Sequence, residues 1–362
     1  MIKIAELRSY HEKHKEHLSL VAFVFGFGFD ILMAQRIDDV KMLIQQGCYL
    51  LLIAIYLRFE VLNELKPFEP KKIFSFFWKY REPIVHFFFG TLLNFNSIFY
   101  FKSASLSSSF LFFIFLCALI AANELPMLRR YGLSLRFTLW SLCLSSYLAI
   151  LLPILFGSIG ALPFILACAL SCAILLVFVS RILKNLPLEH PIRRRVVVPG
   201  LLVILVFVSL YVFQLIPPVP LSVTSAGVYH SIKKEDGHYA LSSLDPGWKF
   251  WKKGDSVFLA RPGDKIYFFA QIFSPTRFSD QIYIHWLYHD SRSGWQSSDK
   301  IALAISGGRE QGYRGYAFKS NFFPGSWRIQ VESSDGREIS RLPIEVVNDT
   351  STAERVFKVI EK

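Results

Sequence analysis

Residues 217–362 contain no cysteine; all five in the chain, Cys48, Cys117, Cys143, Cys168 and Cys172, fall earlier in the 362-residue sequence. Disulfides are therefore not what stabilises the C-terminal part, even in an oxidising compartment. Charge is also scarce. Asp, Glu, Lys and Arg make up 19% of residues, against about 25% in ordinary soluble domains. With 52% hydrophobic residues, this excludes a disordered chain and speaks against a wholly soluble one. Motifs of chemistry are missing as well. There is no phosphate-cradling glycine loop, no nucleophile elbow and no zinc-finger spacing. No catalytic residue, cofactor or metal is expected. Cys168 and Cys172 read as small packing residues. His285 and His289 stand about 13 Å apart if they share a strand, too far to hold one ion.

What the chain has in excess is apolar sequence, and it is unevenly placed. Charge-poor runs fill residues 18–216 and stop there. A helix needs roughly 17–25 apolar residues to cross a bilayer core about 30 Å thick. Seven stretches are candidates: 18–34, 42–57, 84–101, 107–122, 137–156, 161–180 and 196–216. Residues 1–17 precede them as a cytoplasmic segment. The net charge of +12 belongs mostly to this half, which carries 21 Lys and Arg against 12 Asp and Glu. With seven spans, 18 of those cations fall on the N-terminal side and only Arg36, Lys41 and Lys102 on the other. Cytoplasmic loops collect Lys and Arg, so the N-terminus is expected inside and the C-terminal part outside. The same bias explains the basic total without nucleic acid; the expected partner is the lipid bilayer.

After Ile216 the sequence PPVP ends any helix, and the periodicity changes. Segments 256–261, 265–273, 281–289, 300–305, 314–319, 326–332 and 338–347 carry β-branched and aromatic residues. Turn signals separate them, among them Pro262-Gly263-Asp264, Pro324-Gly325 and Asp335-Gly336. The expectation is an all-β, immunoglobulin-like sandwich over 217–347, followed by a polar tail, 348–362, with a turn or two of helix. Trp248, Trp251, Trp286 and Trp295 are candidates for an aromatic binding surface on it. A place in the sandwich core is the competing reading.

Polar residues inside the apolar half form the second candidate site. Asp30 lies about 18 Å into the first stretch by helical rise, and Asn94 about 16 Å into the third. Intramembrane carboxylates are costly and normally have a partner. Asp30 and Asn94, with Arg36 and Lys102 at the outer boundary and Asp38 above, are expected to cluster. Such a cluster serves either as an interhelical clamp or as a binding or proton-handling site.

The residues GFGFD at 26–30, Arg36-Ile37-Asp38, FYFKSASLSSS at 99–109, Asn123-Glu124, IPPVPL at 216–221, His285-Trp286 and Pro324-Gly325-Ser326-Trp327 form a set. It resembles bacterial membrane proteins whose C-terminal part is classed as domain of unknown function 2914. The resemblance implies a bacterial cytoplasmic membrane location and a β-rich terminal domain, and no catalytic residues. The expected function is that of a non-enzymatic integral membrane protein whose exported β domain binds an envelope protein, glycan or lipid headgroup. The alternative is a membrane-embedded transporter or enzyme using the cluster around Asp30.

Overall fold

The computed structural model describes residues 39–67, 78, 81–103, 109–124, 132–235, 238–244, 254–275, 279–306 and 312–362. The described helices and sheets belong to one unit, residues 38–362. Its helices are α1 (Val40–Leu65), α2 (Arg81–Lys102), α3 (Phe110–Glu124), α4 (Gly132–Phe156), α5 (Ala161–Ile182) and α6 (Pro191–Val212). Each begins where the sequence allows. Asp39 caps α1 by accepting the Lys41 amide at 2.9 Å, and Pro191 occupies the first turn of α6, where a missing N–H costs nothing.

Among the described residues, four helices, α1, α4, α5 and α6, are long and apolar enough to cross a membrane. Of the seven expected spans, four are thus found among the described residues. Helix α2, which covers the expected span 84–101, is not one of the four; it carries Asn94 and Asn96 within and Arg81, Glu82 and Lys102 at its ends. Helix α3 is described over 15 residues, about 22 Å of helix, and is not among the four. The first expected span, 18–34, lies outside the described residues.

The bundle has the surface of a membrane domain. Leu162, Ile165 and Val177 on α5 and Leu202 and Leu205 on α6 are all more than half exposed. Water-soluble proteins rarely leave so contiguous an apolar face open. Inside, α4 packs against α1, α5 and α6. The Trp140 indole donates to the Leu50 carbonyl at 3.1 Å and the Tyr147 hydroxyl to the Leu43 carbonyl at 3.2 Å, fixing α4 on α1. One end of the bundle collects the cations. There Arg136 pairs with Glu60, Arg195 pairs with Glu64, and Ser134 donates to the Arg195 carbonyl.

The C-terminal half is all β. Strands β1 (Ser222–Tyr229), β5 (Ile266–Phe273) and β8 (Tyr313–Lys319) form one antiparallel sheet in the order β1-β5-β8. A second sheet runs β4-β10-β9-β6-β7, from β4 (Val257–Ala260), β6 (Ser279–Asp290), β7 (Gly294–Ser306), β9 (Gly325–Glu332) and β10 (Glu338–Asn348). The two sheets share one core, because strand alternation sends every second side chain inward. Phe268, Ala270 and Ile272 meet Ile282, Ile284, Trp286, Trp327, Ile329 and Val331 there. The all-β expectation for this half holds, with two sheets on one core.

A third small sheet, β11-β3-β2, was not anticipated. It joins β2 (Ser231–Glu235), β3 (His238–Ser243) and β11 (Lys358–Glu361), so the tail ends in a strand where helical turns were expected. Arg261 and Arg355 both bind Asp349, and Arg355 also binds Asp264, pinning the crossing segment. Ile360 then pairs opposite Leu241.

Sandwich and bundle meet at the C-terminal end of α6. The Arg337 guanidinium, buried between β9 and β10, lies 4.0 Å from the Tyr211 ring centroid and donates to the Tyr211 hydroxyl. It is tied to Asp335 from the same turn, and Tyr211 stacks on Phe164 of α5 at 3.7 Å. Ile159, from the α4–α5 link, enters the sandwich core.

Candidate functional site

Strand β5 reads IYFFAQIF, apolar on both faces. In an antiparallel sheet this means the second face is covered too. The cover is the third sheet: Tyr239 and Leu241 of β3 pack on Phe269 and Tyr229, all four buried. The cover is incomplete. Beyond it, rings run across the sheet in sequence. Tyr239 meets Tyr316 edge-on at 6.2 Å, Tyr316 meets Tyr267 at 6.4 Å, and Tyr267 meets Phe318 at 5.8 Å. Tyr316 is 40% exposed and Phe318 48%. On β8 the inward positions are the small Gly315 and Ala317, and the outward ones are Arg314, Tyr316 and Phe318.

Cations rim this strip. Lys265 stands 4.9 Å above the Phe318 ring, and Lys234 and Arg314 each stand 5.8 Å from the Tyr239 ring. Such placements draw on the ring quadrupole and are worth roughly 0.5–1 kcal/mol each at exposed sites. The Tyr239 hydroxyl reaches the Arg314 carbonyl at 3.5 Å, joining β3 to β8. The result is an aromatic surface with positive edges, built from three strands of two sheets.

The outer face of the five-stranded sheet is different in kind. Nδ1 of His285 stands 2.6 Å from Glu332 and Nε2 stands 2.7 Å from the Ser297 hydroxyl. A carboxylate only accepts, so the ring proton sits on Nδ1, and a neutral ring then accepts the serine hydroxyl at Nε2. The order Ser–His–Glu is that of a hydrolase relay. Here, however, Lys300 binds the second carboxylate oxygen at 2.7 Å and lies over the Tyr283 ring. Gln330 and Arg341 both bind Glu338 beside it, so the whole is a charge network along an open sheet face.

Residues 279–346 match the family described as "Protein of unknown function (DUF2914)". The match spans β6 to β10, which includes Tyr316, Phe318, His285 and Glu332, and stops short of the helices. No curated protein matches the chain at a significant level. Among solved structures, an immunoglobulin-like protein from Pseudomonas aeruginosa is similar at 14% identity, covering 33% of this chain and 96% of its own, with a TM-score of 0.20. An alkylpurine DNA glycosylase from Pseudomonas fluorescens, bound to DNA containing an abasic site analog, shows 10% identity, covering 85% of this chain and 98% of its own, with a TM-score of 0.23.

The tryptophans expected to form a binding surface divide. Trp286 is a core residue, fully buried with Ile282 and Ile284 on the inward face of β6, which removes it from any surface. Trp295 is half-buried at the outer end of β7, where the Arg328 guanidinium lies 3.9 Å from its ring and His289 meets it edge-on. Trp248 and Trp251 lie outside the described residues. The exposed rings are instead tyrosines and a phenylalanine. The polar cluster fares similarly. Asp30, Arg36 and Asp38 lie outside the described residues. Asn94 and Lys102 are both half-buried on α2, eight residues or about 12 Å apart along its axis. Next to Asn94, Asn96 and Ser97 are buried, and neither amide atom of Asn96 has a hydrogen-bond partner among the described residues.

Lys319 completes the domain's unusual charges. Its side chain is 2% exposed at the rim of the core, bound to Asp299, Ser298 and Asn321 and 5.2 Å from the Trp327 ring. The hydrogen bond and charge of Lys319 hold the Asp299 carboxyl below the usual carboxylate range. The ammonium is buried with every donor used while the Asp299 carboxylate reaches the surface, and the arrangement reads as architecture.

Proposed function

We propose that this is a non-enzymatic integral membrane protein whose β domain lies outside a bacterial cytoplasmic membrane and binds an envelope partner. The observation that carries the reading is the strip Tyr239–Tyr316–Tyr267–Phe318 with its three cations, an aromatic face left open on a domain fastened to an apolar bundle. The orientation follows from charge: the bundle end that holds Arg136 and Arg195 is the cytoplasmic one by the excess of Lys and Arg there. The sandwich joins the opposite end, at Tyr211. The immunoglobulin-like class of the sandwich is part of the same proposal, supported by two facing sheets on one core, antiparallel throughout except where β4 pairs in parallel with β10.

The test is a photo-activatable residue placed at position 316 in living cells, with position 326, an exposed site on the other sheet, as control. Adducts specific to 316 are expected. Equal adducts from both positions, or none from either, would refute the reading.

Asn96 supports the alternative, a polar path through the bundle, since buried amides in native proteins nearly always have partners. Under that reading Asn96→Leu abolishes transport of some solute while leaving adducts from 316 intact.

A further inference from the structure

We propose that the strip binds an acidic polysaccharide; the proposal rests on the functional reading above and names the partner's chemistry. Three observations lead there. The first is the form of the aromatic surface. Neighbouring rings are inclined to one another by 41° (Tyr267 to Tyr316), 42° (Tyr267 to Phe318) and 72° (Tyr239 to Tyr316). They make a patch of separate facets about 6 Å apart rather than a groove. Separate facets suit a polymer of rigid rings, each with one flat C–H face, better than an amphipathic helix, which needs a trough for interlocking side chains.

The second is charge complementarity. Lys234, Lys265 and Arg314 stand at the edges of the strip, so a polymer with a carboxylate or other anion at regular intervals pairs with the rim while its sugar faces meet the rings. Long Lys side chains can swing aside from the ring faces without breaking any core contact, because Lys234 and Lys265 are exposed.

The third is position. Strand β1 leaves the bundle linker at Ser222, opposite Phe273, whereas Tyr267, opposite Phe318, lies six residues further along β5. That is about 20 Å from the bundle end of the sheet. A surface meant for the headgroups beside the bundle would be expected at the near end. This one faces material further out.

The test uses the full chain in detergent micelles, with polygalacturonate and hyaluronate as probes. Fully methyl-esterified polygalacturonate is the control that keeps the sugar backbone and removes the charge. Polyglutamate supplies charge without sugar, and vesicles of phosphatidylglycerol and phosphatidylcholine supply an anionic lipid surface. Binding of at least one acidic polysaccharide is expected, weakened tenfold or more by esterification. Tyr316→Ala and Phe318→Ala are each expected to weaken it tenfold or more with no change in thermal melt, since both side chains are outward on an edge strand. Lys265→Gln should weaken it less and flatten its salt dependence. Polyglutamate binding as tightly, or acidic polysaccharide binding indifferent to Tyr316→Ala, would reduce the strip to a charged patch and overturn the proposal. Vesicle binding lost in the same variants would assign the strip to lipid. If neither polysaccharide binds while adducts from position 316 persist in cells, the proposal falls and the functional reading stands; if those adducts are absent too, both fall.

Discussion

His230, between β1 and β2, gives the β domain a calculable response to acid. Its side chain is 4% exposed, stacked on Phe258 at 4.1 Å, with the tilted ring of Phe357 from the C-terminal segment 5.3 Å away. Burial, helped by the nearby Arg355 charge and opposed by Asp264 and Asp349, lowers its pKa from 6.5 to about 4. Asp255 stands 3.6 Å from Nε2, beyond hydrogen-bond reach, and its other oxygen already accepts the Leu244 amide. The folded protein therefore keeps the ring neutral, while the unfolded chain protonates it below about pH 6.5. Stability is fully present above that pH and is lost as pH falls from about 6.5 towards 4. At 1.36 kcal/mol per unit the ceiling is about 3 kcal/mol, a sizeable share of the 5–15 kcal/mol typical of domains. The assay compares chemical unfolding of the full chain at pH 7 and pH 4.5 with that of His230→Phe, which fills similar space without titrating. The native chain should lose about 2–3 kcal/mol more than the variant over that interval. A His230 resonance titrating above pH 6.5, or a native chain stabilised by acid relative to the variant, would refute the argument and make His230–Asp255 an ion pair.

Three further outcomes are expected. A fluorophosphonate probe should leave Ser297 unlabelled, because its relay is tied up by Lys300; labelling lost in His285→Ala would move the protein among the serine hydrolases. Arg337→Met should lower stability by about 3–5 kcal/mol by leaving Asp335 uncompensated, and Asp335→Asn in the same chain should recover part of it, read as melting in detergent. Trp327→Ala, which empties a fully buried site and loses the bond from Nε1 to the Phe323 carbonyl at 2.9 Å, should cost about 3–5 kcal/mol, read by denaturant midpoint.

Local patterns carried much of this fold. Six of the seven expected strand segments match β4 to β10 within two residues and the seventh covers only the second half of β7, which begins six residues earlier at Gly294; alternation and turn glycines are local signals, and Gly263 and Gly336 take the left-handed conformations their turns need. Parity even settles Trp286, since it shares a face with Ile282 and Ile284. What was illegible depends on distant partners. Strand β11 pairs Lys358 with Ser243, and no local feature of the tail encodes that. Helix α2 was expected as a span and is not among the four found, although its charged residues lie only at its ends. The ring strip was hidden because Tyr267, Tyr316 and Phe318 look like core residues. Gly315 and Ala317 on the opposite parity of β8 were the available sign that its large residues point outward. His285, Ser297 and Glu332 come from three strands, and only the pairing of β6 with both β7 and β9 brings them together.

The claim that everything else rests on is that the strip lies outside the membrane. In a chain whose five native cysteines are replaced, Tyr316→Cys and Lys184→Cys are treated in intact cells with a maleimide that cannot cross the cytoplasmic membrane. Labelling at 316 before lysis and at 184 only after it is the predicted result; labelling at 184 in intact cells, with 316 protected until lysis, would contradict the account.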